Sequence, residues 1–144
     1  MSVLNVKIKK LNPNAVVPKY AKLGDAGIDL VATNYEYKDC NHIYGTSLAI
    51  EIPKGYVGLL FPRSSNRKTS AYMTNHVGVI DSGYRGEIMI TYKNRDYDYH
   101  NAPYQVGDRV AQLIIMPYPT VNLVEVEELS ETERGTGGHG STGK

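Results

Sequence analysis

A closed or double-layered antiparallel β fold is what the sequence predicts, and three observations predict it. Short apolar runs recur along the chain, Gly, Pro and Asn separate them, and a single window carries helical character. The first run is Leu4, Val6 and Ile8 alternating with Asn5, Lys7 and Lys9, the period-two pattern of a half-buried strand. Leu48 to Ile52 and Tyr56 to Phe61 follow, separated by the turn Pro53-Lys54-Gly55, which predicts a hairpin. Val77 to Ile80 and Glu87 to Tyr92 flank Asp81-Ser82-Gly83-Tyr84-Arg85-Gly86, whose two glycines mark a tight connection. Val110 to Met116 is a strongly apolar strand closed by Pro117 and Pro119, and Val121 to Leu129 reads as a last strand leading outward. The one helical window is Asn66 to Tyr72, with Ser64-Ser65 placed to cap it.

The chain has 144 residues, enough for one domain with its own core. Its charge is nearly balanced, sixteen Lys and Arg against fifteen Asp and Glu, so no global field favours nucleic acid or anionic membrane. Cys40 is the single cysteine, and no Cys/His set has zinc spacing. No apolar run approaches the roughly 20 residues of a membrane span, and the first residues lack a signal-peptide stretch, so a soluble, intracellular protein is expected. Asn94 to Tyr104 reads as a polar loop. The aromatic balance of twelve tyrosines to one phenylalanine is assigned to barrel rims, and His42, His76 and His100 to the surface. Ser130 to Lys144 holds five glycines and no aliphatic residue, so it has no means of holding itself folded.

Three constellations carry chemistry. In the tail, glycines let backbone amides face an anion, Ser141 and Thr142 add hydroxyls, and Arg134 adds a planar fork. This is a mobile phosphate clamp or a plain frayed terminus. Gly138 to Lys144 matches the first seven positions of GxxxxGK[ST], but the strand before and helix after that loop are missing. Pro62-Arg63-Ser64-Ser65 ends an apolar strand and opens the helical window, which suits either an anion or a simple cap. Asp81 follows an apolar strand, a position where partial desolvation makes a usable base, or where the carboxylate merely stabilises a turn. Asp25 and Asp29 fit a water-bridged metal site or a strand-edge bulge, and Gly107 to Gln112 fits a turn entering a strand.

Taken in order, these segments resemble the five motifs of the trimeric deoxyuridine triphosphatases (dUTPases) across nearly the whole chain. Ala26-Gly27-Ile28-Asp29-Leu30 resembles the first, Pro62-Arg63-Ser64-Ser65 the second and Asn75 through Glu87 the third. Gly107-Asp108-Arg109-Val110-Ala111-Gln112 resembles the fourth and Arg134 to Gly143 the fifth. The related dCTP deaminases share the fold, but typically carry alanine at the position of Gly78 and phenylalanine at that of Tyr84.

The resemblance implies a distorted jelly-roll-like β-barrel with one short helix over residues 1–129 and a glycine-rich arm over 130–144. It also implies a homotrimer whose active sites are shared between chains. The implied activity is hydrolysis of dUTP to dUMP and pyrophosphate, which limits uracil in DNA and supplies dUMP for thymidylate synthesis. Asp81 would be the general base, and Tyr84 would pack under the deoxyribose and refuse a 2′-hydroxyl. Asn75 and the backbone of Gly78, Val79 and Ile80 would read uracil, with Met89 in the same pocket. Arg63, Ser64, Ser65 and Gln112 would hold phosphates, and Arg134, Gly140, Ser141 and Thr142 the γ-phosphate once the arm closes. Mg2+ would ride mainly on the triphosphate, touching Asp29 only through water. His139 stands where the family usually carries phenylalanine. Gly83 stands where many members have aspartate, so no extra carboxylate is expected in that turn.

Overall fold

The computed structural model describes residues 3–95 and 100–143, and among these it has ten strands. They are β1 (Lys7–Lys10), β2 (Ile28–Val31), β3 (Asn34–Lys38), β4 (Asn41–Gly45), β5 (Leu48–Glu51), β6 (Tyr56–Phe61), β7 (Ala71–Met73), β8 (Gly78–Ile80), β9 (Met89–Asn94) and β10 (Arg109–Pro117). Two four-stranded sheets, β2-β10-β6-β8 and β3-β4-β9-β7, face one shared core, and β1-β5 forms a two-stranded sheet beside them. Every pairing among these strands is antiparallel.

The core takes Leu30, Leu60, Ile80 and Leu113 from the first large sheet, and Tyr44, Met73, Ile90 and Tyr92 from the second. Strand β10, the longest apolar run, sits centrally between β2 and β6. Its pairing with β2 slips by one residue between Arg109 and Ala111, so both Val110 and Ala111 are fully buried. Residues three apart on a regular strand face opposite ways. The bulge restores parity, so Arg109 and Gln112 share the face of Asp29, which lies opposite Gln112.

Several expectations are corrected. Strands β5 and β6 do not form a hairpin: β5 pairs with β1, and β6 with β10 and β8. The residues 48–52 are buried almost throughout rather than alternating, and Ile52 packs against Gly58, where a Cβ would stand 2.7 Å from its Cδ1. The chain therefore crosses between sheets at Pro53-Lys54-Gly55. Strands β8 and β9 likewise lie in different sheets, so the connection 81–86 bridges two layers.

The expected helix at 66–72 is a 3₁₀ turn at Ser64–Lys68, capped by Arg63 without any side-chain hydrogen bond, so Ser64 and Ser65 are inside it. It ends early because Thr69 Oγ1 donates to the Asn66 carbonyl at 2.9 Å and Tyr72 is needed in β7 opposite Lys93.

The Val121–Leu129 strand does not form: its large apolar side chains, Val121, Leu123, Val124, Val126 and Leu129, are between 54% and 91% exposed. Alternation makes a strand only where a sheet edge accepts it, and among the described residues this segment pairs with none of the edge strands. The hairpin β3–β4, unforeseen, turns through Asp39 and Cys40 with φ of 51° and 59°, the left-handed pair a two-residue hairpin turn requires. Residues 96–99 of the expected loop lie outside the described residues, but its ends are ordered parts of the fold: Asn94 closes β9 and Tyr104 is in the core.

The tyrosines are not confined to rims. Tyr44, Tyr92 and Tyr104 pack ring to ring in the core, and their hydroxyls donate to Tyr104 O (2.7 Å), Val110 O (2.6 Å) and Asn66 Oδ1 (2.7 Å). Burial pushes all three phenols up, Tyr44 to about 12, so they remain protonated donors at neutral pH. His42 is fully buried rather than on the surface, with Nδ1 2.9 Å from the Tyr35 hydroxyl. His76 and His100 are exposed.

Candidate active site

The gap between the two large sheets opens a pocket of about 270 Å³. Its walls are Leu60, Asn75, the Gly78–Ile80 backbone, Tyr84, Met89 and Thr91. Gly78 is glycine for a packing reason: a Cβ there would lie 3.0 Å from Leu60 Cβ. Asn75 sits before His76, whose φ is +62°, and its carbonyl accepts from Val77 N at 2.6 Å, so the chain turns sharply into β8.

The connection 81–86 is held by its own hydrogen bonds. Tyr84 N donates to Asp81 O at 3.1 Å, the Tyr84 hydroxyl donates to Glu87 O at 2.9 Å, and Arg85 donates to the carbonyls of Ser82 (2.7 Å) and Tyr84 (3.0 Å). Gly86 lies under the Tyr84 ring, where a side chain would collide with it. Glu87 anchors the end of the connection, accepting from Ser47 N (2.7 Å) and Asn34 Nδ2 (3.0 Å). Asp81 is exposed in the single chain, so the desolvation expected from its place after β8 is not met there.

A second pocket, of about 390 Å³, lies across β10 and is lined by Asp29, Arg63, Ser64 and Gln112 among others. Asp29 accepts from two arginines, from Arg63 Nε at 2.9 Å and Arg109 Nη1 at 3.4 Å. Its first role is therefore counter-ion, and two guanidinium groups on one carboxylate leave one positive charge over for an incoming anion. Arg63 also donates to Ser65 Oγ at 3.3 Å, and Gln112 Nε2 to Pro62 O at 3.1 Å. Gly27 has no space for a Cβ because the Gln112 carboxamide rests on it. Asp25 accepts from Lys22 N at 2.9 Å and so belongs to its own turn. Among the described residues no group of three or more His, Cys, Asp or Glu gathers. Asp25 and Asp29 bring hard carboxylate oxygens to this pocket, a donor type that suits a magnesium ion carried by a ligand's phosphates.

The third piece is the tail. Its hydrogen bonds run within itself, from Gly135 N to Thr132 O, Arg134 Nε to Gly137 O, Ser141 N to Gly138 O and Gly143 N to Gly140 O. His139 and Gly140 take left-handed φ of 52° and 78°. Arg134, His139, Gly140, Ser141 and Thr142 line a shared hollow that includes no barrel residue. The single chain thus does not bring them to Asp81, and Lys144 lies outside the described residues.

The family model for dUTPase matches residues 13–143. The chain belongs to the dUTPase family. It is 42% identical to a deoxyuridine 5'-triphosphate nucleotidohydrolase of Nocardia farcinica, over 99% of this chain and 88% of that one. It is 43% identical to the Corynebacterium glutamicum dUTPase, over 96% and 95%. Among solved structures, a Staphylococcus bacteriophage 80alpha dUTPase variant with dUpNHpp superposes with a TM-score of 0.85 at 31% identity, covering 99% of this chain and all of that one. A phage phi11 dUTPase, described for coordination of a structural Mg(II) ion, gives 0.71 at 31% identity, over 87% and 98%. The dUTPase fold is therefore the right frame for the three pieces, and it accounts for the near absence of helix. Glu87 and Arg109 lie in motifs that the sequence displayed, but their contacts to Ser47 and Asp29 span 40 and 80 residues and left no local signal.

Proposed function

We propose that the protein hydrolyses dUTP to dUMP and pyrophosphate in a homotrimer whose sites combine residues of different chains. The observation that carries this reading is the placement of Asp81 and Tyr84 on one rigid connection beside a nucleoside-sized pocket between the sheets. The separation of that pocket, the Arg63 pocket and the arm in one chain favours assembly from several.

Uracil enters between β8 and β9, where the Gly78–Ile80 backbone and Asn75 offer fixed donors and acceptors. Tyr84 supports the sugar, and its hydroxyl is already committed to Glu87 O, so the ring cannot swing aside for a 2′-hydroxyl. Arg63, Ser64, Ser65 and Gln112 take the phosphates. Asp81 accepts a proton from water as the water oxygen bonds to the α-phosphorus, and the bond to the β-phosphate oxygen breaks to release pyrophosphate. Asp29 would reach, through water, a magnesium ion carried by the triphosphate, and that ion would supply charge neutralisation and orientation. Arg134, Gly140, Ser141 and Thr142 close over the γ-phosphate and exclude bulk water.

The test is pyrophosphate release from dUTP, UTP, dCTP and dTTP, with magnesium and with chelator. Release from dUTP alone, abolished by chelator, is expected. Ammonia from dCTP, or UTP turned over as fast as dUTP, overturns the reading.

His139 adds a second expectation. An imidazole offers uracil a flat face to stack on in place of the usual phenylalanine, so His139→Ala should weaken dUpNHpp and deoxyuridine alike in titrations. Unchanged binding of both rules out the stacking role.

A further inference from the structure

The 3₁₀ turn that presents Arg63, Ser64 and Ser65 has little to hold it. It is five residues long, has no side-chain cap and buries no residue. A turn this short is marginal alone, and its amides are useful to an anion only if they are fixed in advance. The fixing comes from Asn66. Its Nδ2 donates to Ala71 O at 2.9 Å, its backbone N donates to Arg63 O at 2.9 Å, and its Oδ1 accepts from Tyr104 Oη at 2.7 Å and Thr69 Oγ1 at 3.3 Å.

Tyr104 is in turn a rigid post. Its ring is buried against Tyr44 and Tyr92 with centroids 6.0 and 5.1 Å away. Its backbone N donates to the Tyr44 hydroxyl at 3.0 Å, and its carbonyl accepts from that hydroxyl at 2.7 Å. Burial raises the Tyr104 phenol, so its hydroxyl stays a proton donor to Asn66 Oδ1 at neutral pH.

We infer that Tyr104 and Asn66 are positioning residues for the phosphate grip: the buried Tyr104 hydroxyl orients the Asn66 carboxamide, which pins the turn bearing Arg63, Ser64 and Ser65. The inference rests on the reading of those three residues as phosphate ligands. It concerns hydrogen bonding, not packing, because the ring alone fills the core.

The experiment compares binding of dUpNHpp and of deoxyuridine, which carries no phosphate, by titration calorimetry on the full chain. Tyr104→Phe keeps the ring and removes the donor. It should weaken dUpNHpp about three- to tenfold, the size of one neutral hydrogen bond, and leave deoxyuridine unchanged. Asn66→Ala, half-buried and away from the core, should act the same way if the phenylalanine variant folds poorly. Because the two act through each other, the double variant should be no weaker than the stronger single one. Arg63→Ala separates the positioning role from the phosphate ligands themselves. If it weakens dUpNHpp while Tyr104→Phe and Asn66→Ala do not, the positioning role alone is overturned. If it has no effect, the phosphate reading falls, and the inference with it. Equal losses for both ligands, or additive effects in the double variant, also overturn the positioning role.

Discussion

Asp81→Asn is expected to lower dUTP turnover by about 10²–10⁴-fold, the usual contribution of a general base, while dUpNHpp binds as before. The geometry makes this a clean comparison. The connection 81–86 is held by Tyr84 N on the Asp81 carbonyl, by the Tyr84 hydroxyl on Glu87 O and by Arg85 on two carbonyls. None of these uses the Asp81 carboxylate, so the amide should leave the turn in place. What it removes is the acceptor for a proton from water. Asp81 is exposed in one chain, so under the proposed shared site its surroundings would be completed by substrate, arm and neighbouring chain. Rapid-quench measurement of pyrophosphate, with calorimetry on the same samples, separates chemistry from binding. A variant that hydrolyses normally would remove Asp81 from the mechanism, and one that no longer binds dUpNHpp would make it a binding residue instead.

Legibility in the sequence followed how local each cause was. Strand β10 was readable because Val110 to Met116 is apolar whatever it pairs with, and the connection 81–86 because its glycines and Asp81 announce a turn. The partners of β5 and β6 were not, since adjacency along the chain does not decide adjacency in a sheet. The β3–β4 hairpin was hidden by polar residues whose burial depends on distant partners. His42 lies in the interior with Nδ1 at the Tyr35 hydroxyl and Nε2 3.5 Å from Asn94 Nδ2, 52 residues away, and Tyr44 lies there with Tyr104 O, 60 residues away, receiving its proton. At the candidate site, the residue types of the Arg63 pocket were readable, but not that Asp29 is bound to Arg63, 34 residues away. The β-bulge that turns Arg109 toward Asp29 has no signature in Arg109-Val110-Ala111. Val121 to Leu129 shows the opposite error: its pattern is strand-like, but a pattern supplies no edge to pair with.

Ending the chain at Glu133 is expected to lower kcat/KM for dUTP by about 10²–10⁴-fold: it removes Arg134, Gly140, Ser141 and Thr142, and two charge-assisted hydrogen bonds to phosphate among them, at about 1.5–3 kcal/mol each, already supply that loss. The melting temperature should not change, because the hydrogen bonds of residues 132–143 stay within that segment. That combination, large in activity and nil in stability, distinguishes a clamp from a structural tail. The shared-site proposal can then be tested with the same two variants. Truncated chains keep Asp81 but have no arm; full-length Asp81→Asn chains keep the arm but have no base. If each site takes its base and arm from different chains, unfolding and refolding an equal mixture should restore about one site in four. If each arm closes over its own chain, no mixture regains activity, because no single chain carries both parts. Equal activity of the truncated and full-length proteins would sink the clamp itself, and the glycine-rich segment would then be a plain terminus.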